Sequence, residues 1–347
     1  MVDKNFCMSS FLTLRYVEKR GTDFCEKYRY ASPELPPEEK RIPVRTAADV
    51  DAAIRAQIEP LKQKYKRIGI LLSGGMDSAT LAAYLPGCDA YTFRFMNGEF
   101  QREELRRAER FAEYYGLRLH YVDIGWESVL ENLPKIMACK GGPVHSIEPQ
   151  ICQGALQAKA DGVDLMIIGD GSDYVFGGMD QLLSKDWAFD EFMDRCIYIQ
   201  PEQVLVDPVS VRYLFERYRR GDDIDFLAFY DTVVTEESYG SYANAFHAAE
   251  IPYYDPYELL KMAEPLDLKR IRSGESKYLI RELFSMKYPE IPVPEKLPMP
   301  RPVDMYFKDW AGPKRPEFQP GLDMTQFTGN QKWLLWCLEQ FLDMADC

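Results

Sequence analysis

Two short stretches carry residue types that could do chemistry together. In "RIGILLSGGMDSATLAAYL" (67–85) an apolar run breaks into Ser73, Gly74, Gly75, Met76, Asp77 and Ser78, then resumes with helical spacing. In "VDLMIIGDGSDYVFGG" (163–178) a second apolar run gives way to Gly169, Asp170, Gly171, Ser172 and Asp173. Small residues let backbone N–H groups approach an anion, and the helix that follows adds roughly half a positive charge at its N-terminus. Ser73, Gly74, Gly75 and Ser78 could therefore cradle a pyrophosphate. Asp77 cannot help an anion directly, so a carboxylate in such a cradle calls for a metal. Magnesium takes one or two carboxylates plus phosphate oxygens, and Asp173 is the candidate second ligand. The plain alternative is a tight strand-to-helix turn. The first loop is not the G-x-x-x-x-G-K-[ST] loop, which carries its lysine inside.

The elements around these loops must bring them to one place. Residues 67–72 read as a short strand buried on both faces, as in a parallel sheet. Thr46 is a plausible N-cap for a helix over "TAADVDAAIRAQIEPLKQKY". "CDAYTFRF" (88–95) and "LRLHYVDIG" (117–125) read as strands. A charged amphipathic helix spans 98–116 and ends at Gly116; another helix spans 146–162. Strands alternating with helices predict a doubly wound parallel α/β sheet. In such a sheet, ligands bind beyond the carboxyl ends of the strands, near the switch in strand order. Both glycine-rich loops leave carboxyl ends of predicted strands. From about 185 to 347 helical patterns dominate, ending in "NQKWLLWCLEQFLDM". Residues 1–45 read as an arm, with "FCMSSFLTLRYV" a strand or hairpin half and "SPELPPEEKRIPV" a proline-rich connector.

Composition narrows the partners. The 347 residues include 55 acidic and 42 basic side chains, a formal charge of −13. That balance disfavours general nucleic-acid binding, which needs basic surface. "RYLFERYRR" (212–220) reads as a helix with one solvated and one buried face rather than a basic patch. The eight cysteines are scattered without C-x-x-C spacing, which argues against a zinc site and for a reducing compartment. No apolar leader and no eighteen-residue apolar run is present, so a soluble cytoplasmic protein without membrane contact is expected.

S-G-G-M-D-S resembles the PP-loop of ATP pyrophosphatases, which cleave ATP between its α and β phosphates. "IIGDGSDYVFGG" resembles the S-G-E-G-[AS]-D-E-[LV]-F-G-G segment of asparagine synthetases. "AAEIPYYDPYELLKMAEPLDLKR", "GESKYLIRELF" and "PEKLPMPRPVDMYFKDW" are similar, in the same order, to E-x-R-x-P-F-L-D, G-K-x-x-L-R and K-x-G-F-x-x-P of that synthetase domain. The resemblance covers roughly 46–347, and implies a nucleotide-binding core over 46–184 followed by a mainly helical substrate side over 185–347. It implies that Ser73, Gly74, Gly75, Asp77 and Ser78 hold ATP phosphates, with Asp77 and Asp173 sharing Mg²⁺. Leu71, the end of strand 91–95, and Gly169 would meet the adenine. Lys296 matches a late lysine that neutralises charge at the phosphates and reacting centre; Lys277 and Arg281 match the K-x-x-L-R pair, near the phosphates.

Three departures bear on the substrate. The arm stands where asparagine synthetases carry a glutaminase domain, and Cys7 reads as a packing residue. Free ammonia, a separate glutaminase subunit, or an amine on the acceptor then remain as nitrogen sources. Asp170 stands where the synthetases have Glu, and Tyr174 replaces another acidic position. E-x-R becomes Ala248, Ala249 and Glu250, an arginine lost near the substrate side. The expectation is an ATP-dependent, AMP-forming amide ligase acting on a small-molecule or peptide carboxylate. Lys296 and Asp170 are its candidate catalytic residues, with His120, His145 and His247 as alternative bases. A PP-loop enzyme acting on tRNA and a non-catalytic ATP-binding subunit are the rival readings.

Overall fold

The computed structural model describes residues 1–32, 34–96, 101–297 and 301–345. The expected helix start at 98 and part of the late lysine segment (298–300) lie outside the described residues. Four strands, β2 (Ile68–Leu71), β3 (Asp89–Phe95), β4 (Arg118–Ile124) and β5 (Leu165–Ile167), form a parallel sheet with Tyr253–Tyr254, in the order β4-β3-β2-β5-(253–254). A separate parallel pair joins β1 (Ile42–Val44) to Leu260–Met262.

Alternation along the strands divides the interior between the two faces. Ile68 and Ile70 of β2 and Leu165 and Ile167 of β5 face one core, with helices α2 (Ala47–Lys64), α3 (Met76–Ala82), α4 (Arg102–Tyr114) and Tyr278–Lys287. Met166 and Ile168 face the other, with α5 (Trp126–Lys140), α6 (Glu148–Ala160), Thr235–Ala249 and the final helix Gly329–Ala345. This is the doubly wound sheet expected. Thr46 caps α2 as read from sequence, in a capping box closed by Asp49. Gly69 is required by close approach, since a Cβ there would lie 2.7 Å from the Met166 sulfur.

The N-terminal region departs from expectation. Residues Lys4–Leu14 are not a strand but a helix, α1, capped by Asp3 and buried in the second core from Phe6 to Leu14. A helix buried all round shows no amphipathic period, which hid it in the sequence. Its Ser9 and Thr13 hydroxyls donate to the carbonyls four residues back, at 2.8 Å each. Cys7 is fully buried, and burial pushes its thiol up, as a packing residue requires. "RYLFERYRR" also differs: one helical turn, Tyr213–Glu216, passes into a hairpin of Arg219–Arg220 with Asp223–Ile224. The turn at Gly221, whose φ is +67°, breaks the helical pattern. The segment after Ile167 is a short helix, α7 (Gly171–Val175), rather than an open loop.

Candidate active site

Neighbours of β2 lie on both sides in reversed order, β3 on one and β5 on the other, so the switch in strand order falls between β2 and β5. The loops leaving these two strands are the two glycine-rich stretches, and they meet.

In the first loop Ser73 N–H donates to the Ser78 hydroxyl at 3.0 Å, and the Ser73 and Ser78 hydroxyls lie 3.0 Å apart. Gly75 N–H donates to Ser73 Oγ at 3.2 Å. Gly74 admits no side chain, because a Cβ would stand 2.6 Å from the Glu104 carbonyl oxygen of α4. Glu104 was not legible as a site neighbour. Burial raises its carboxyl's pKa, against the backbone N–H of Gly74. Leu71 closes β2 in register with Tyr91. Gly169 packs tightly, its missing Cβ falling 3.1 Å from Leu81 and 3.3 Å from Tyr257.

The two loops are joined by one ammonium. Lys277 Nζ lies 2.6 Å from Asp77 Oδ2 and 2.8 Å from Asp173 Oδ1. Lys277 is 3% exposed, and its φ of +52° holds it at the start of helix Tyr278–Lys287. Burial works against its charge, but Asp173 and Asp77 outweigh burial and raise its pKa. The same contact lowers Asp173: burial opposes ionisation, and Lys277 with Lys296 overcomes it. Ser172 donates to the other oxygen of Asp77 at 2.6 Å, and Tyr257 donates to the Asp77 carbonyl at 3.1 Å. Lys296 reaches the same Asp173 oxygen at 2.9 Å and the Gly178 carbonyl at 2.8 Å, from a side chain 45% exposed. The sequence ranked Lys296 above Lys277; the structure puts Lys277 at the centre and Lys296 at the rim. Arg281 donates to the Ser276 carbonyl at 2.8 Å and so ties down the turn that carries Lys277.

Asp170 is the residue just before α7, and its carboxylate accepts from Ser238 at 2.7 Å. Burial raises its pKa well above the usual carboxylate range, only partly offset by Ser238. Two neighbours missed in the sequence share this environment. Asp255 is pushed up to about 7 by burial, even though its oxygens accept from the N–H groups of Gly171 and Tyr257. Burial and the nearby Asp255 also raise Glu258. Tyr174 packs edge-on against Tyr239, with ring centroids 5.6 Å apart. His120 is not at this site: it meets Asp89, the first residue of β3, at 2.8 Å, and stacks on Tyr91. His247 is exposed near the end of its helix. His145 is buried between two arginines, and burial with their charges drives its pKa well below the ordinary value.

Asp77 and Asp173 converge on a position already suited to a cation, which is the donor set a phosphate-bound Mg²⁺ needs. Among the described residues no group of three His, Cys, Asp or Glu side chains converges as a separate metal site.

A family model described as asparagine synthase matches residues 49–225 of this chain. The chain belongs to the asparagine synthase family. The matched span contains both glycine-rich loops and four of the five strands of the sheet. The chain is also 48% identical, over 59 residues, to a 7-cyano-7-deazaguanine synthase from Azotobacter vinelandii (strain DJ / ATCC BAA-1303). That match takes in 16% of this chain and 26% of that protein, so the chain spans about a quarter of the relative's length. Among the described residues no helix is long and apolar enough to cross a membrane.

Proposed function

We propose that this member of the family is an AMP-forming amide ligase. The observation that carries the reading is the single Lys277 ammonium shared by Asp77 and Asp173, one carboxylate from each loop. A substrate carboxylate attacks the α-phosphate of ATP, pyrophosphate leaves, and ammonia or an amine then attacks the resulting acyl-adenylate. Ser73, Gly74, Gly75 and Ser78 hold the phosphates, while Leu71, the end of β3 and Gly169 border the adenine. Mg²⁺, when bound by Asp77 and Asp173, would neutralise charge on the phosphates and the leaving pyrophosphate.

Lys277 and Lys296 orient the phosphate chain and stabilise negative charge on the leaving pyrophosphate. Arg281 acts at one remove, by holding the turn before Lys277. Asp170 takes the proton from the attacking nitrogen, and its raised pKa suits a group that must release that proton again. The nitrogen comes as free ammonia, from a separate glutaminase subunit, or as an amine on the acceptor. We divide the chain into an N-terminal helix and linker (1–45), the nucleotide core (46–184) and a substrate side (185–347), and place its work in the cytoplasm. Incubation with Mg²⁺, ATP, ammonium and a panel of carboxylic acids should release pyrophosphate only when an accepted acid is present. Release that ignores the acid, or its persistence in the D77N variant, would refute this reading.

A further inference from the structure

The N-terminal helix does more than fill the core. Its C-cap, Arg15, has a φ of +68°, and its guanidinium packs among His145, Tyr198 and Glu237. There Arg15 Nη2 pairs with Glu237 at 2.7 Å, while the planar guanidinium lies over the Tyr198 ring, 4.1 Å from its centroid. Arg15 Nη1 and Arg301 Nη1 approach the same atom, His145 Nε2, at 2.8 and 3.0 Å. A neutral imidazole nitrogen has one lone pair, so two guanidinium donors compete for one acceptor. Arg15 Nε and His145 Nδ1 are buried without a hydrogen-bond partner.

The charges do not balance. Glu237 faces Arg15 at 2.7 Å and His145 Nδ1 at 3.5 Å, and Arg301 makes no ion pair among the described residues. His145 is neutral, so two guanidiniums face one carboxylate and one positive charge is left over. Burial and the facing Arg15 lower the pKa of Arg301, as expected where a like charge stands opposite. Leaving a desolvated cation unpaired is costly. A guanidinium fork fits carboxylate or phosphate with two parallel bonds. Tyr198 keeps 38% of its surface open and the Arg15 side chain 17%, so the cluster reaches solvent on one side rather than being sealed in the core.

The cluster is tied to Asp170 through helix Thr235–Ala249. Glu237, which holds Arg15, is followed by Ser238, which holds Asp170 at 2.7 Å. Arg301 also borders a small cavity with Phe95, the last residue of β3. Building on the amide-ligase reading, we infer that Arg15 and Arg301 form an anion pocket that selects acids bearing a second anionic group, carboxylate or phosphate. The acid's reacting carboxylate faces the nucleotide near Asp170, and the far anion sits between the two guanidiniums.

The test uses the full chain and three probes of matched length: succinate, 3-phosphonopropionate and butyrate. Thermal melting without nucleotide reads the pocket alone. Succinate or 3-phosphonopropionate should raise the melting temperature and butyrate should not, with the stronger of the two identifying the preferred anion. R301Q should abolish the shift; R15K, which keeps charge but loses the fork, should weaken the doubly charged probe at least tenfold. Exchange of labelled pyrophosphate into ATP should then show a KM for the better doubly charged acid at least tenfold below that for butyrate. R301Q should erase that difference and leave the KM for ATP within twofold. Equal effects of all three probes, or an unmoved preference in both folded variants, would overturn the pocket. Anion-dependent melting without exchange for any acid would support the pocket and overturn the ligase reading alone.

Discussion

Replacing Lys277 with Met tests the bridge between the loops. Methionine keeps much of the stem, and both residues bear the same left-handed backbone, so the change chiefly removes charge. The wild-type ammonium lies 2.6 Å from Asp77 and 2.8 Å from Asp173, and its loss leaves those carboxylates facing each other. At a separation of about 5 Å and an effective dielectric near 20, their repulsion is about 3 kcal/mol. For 347 residues, with an unfolding entropy of about 2.1 cal/mol/K per residue, that corresponds to a fall in melting temperature of roughly 4–5 °C. The same repulsion should raise one of the two carboxyls above the ordinary carboxylate range. A folded-state pKa raised in this way favours the folded state at low pH. The stability deficit of K277M should therefore be greatest at neutral and higher pH and shrink as pH falls into the ordinary carboxylate range. In the wild type, Asp173 is instead depressed, and its contribution is lost only as pH falls below about 4 toward the lowered value. Added Mg²⁺ should recover part of the deficit in K277M and less in the wild type. Melting curves across pH, with and without Mg²⁺, provide the readout, alongside acid-dependent pyrophosphate release. Unchanged melting at pH 7 together with unchanged release would refute the bridge.

Three further outcomes follow from the geometry. G178A should lower pyrophosphate release at least tenfold, because its Cβ would fall 1.9 Å from Asp173 Oδ1, whereas G125A, with nothing within 4 Å, should stay within about 1 kcal/mol of wild-type stability and keep its activity. D170N should depress amide formation by about 10²–10⁴-fold while leaving ATP affinity nearly unchanged; wild-type turnover should rise with pH as the raised Asp170 ionises, and a rise that persists in D170N would remove it as the base. F11A should cost about 3–5 kcal/mol, since Phe11 is 1% exposed in the second core; a loss below 1 kcal/mol in denaturant melts would contradict the burial of α1.

The parallel sheet and both loops were legible because apolar runs ending in Gly, Ser and Asp are local signals. What the sequence concealed depended on long-range packing. Lys277 is legible only through the family resemblance, and there below Lys296; its place at the centre comes from the fold, which sets it against Asp77, 200 residues away. Asp255 and Glu258 gain their raised pKa values from burial, which no local pattern records. The α1 helix lacked polar faces and so lacked a period, and with it Arg15 went unseen. Glu250, read as marking an arginine lost from the substrate side, pairs at an exposed helix end with Lys159, while Arg15 and Arg301 bring guanidinium from elsewhere.

The most direct measurement follows oxygen during turnover. With an accepted acid carrying ¹⁸O in its carboxylate, together with ammonium, ATP and Mg²⁺, one labelled oxygen should appear in AMP beside unlabelled pyrophosphate. ADP with labelled orthophosphate, or AMP without label, would contradict carboxylate adenylylation at the paired loops.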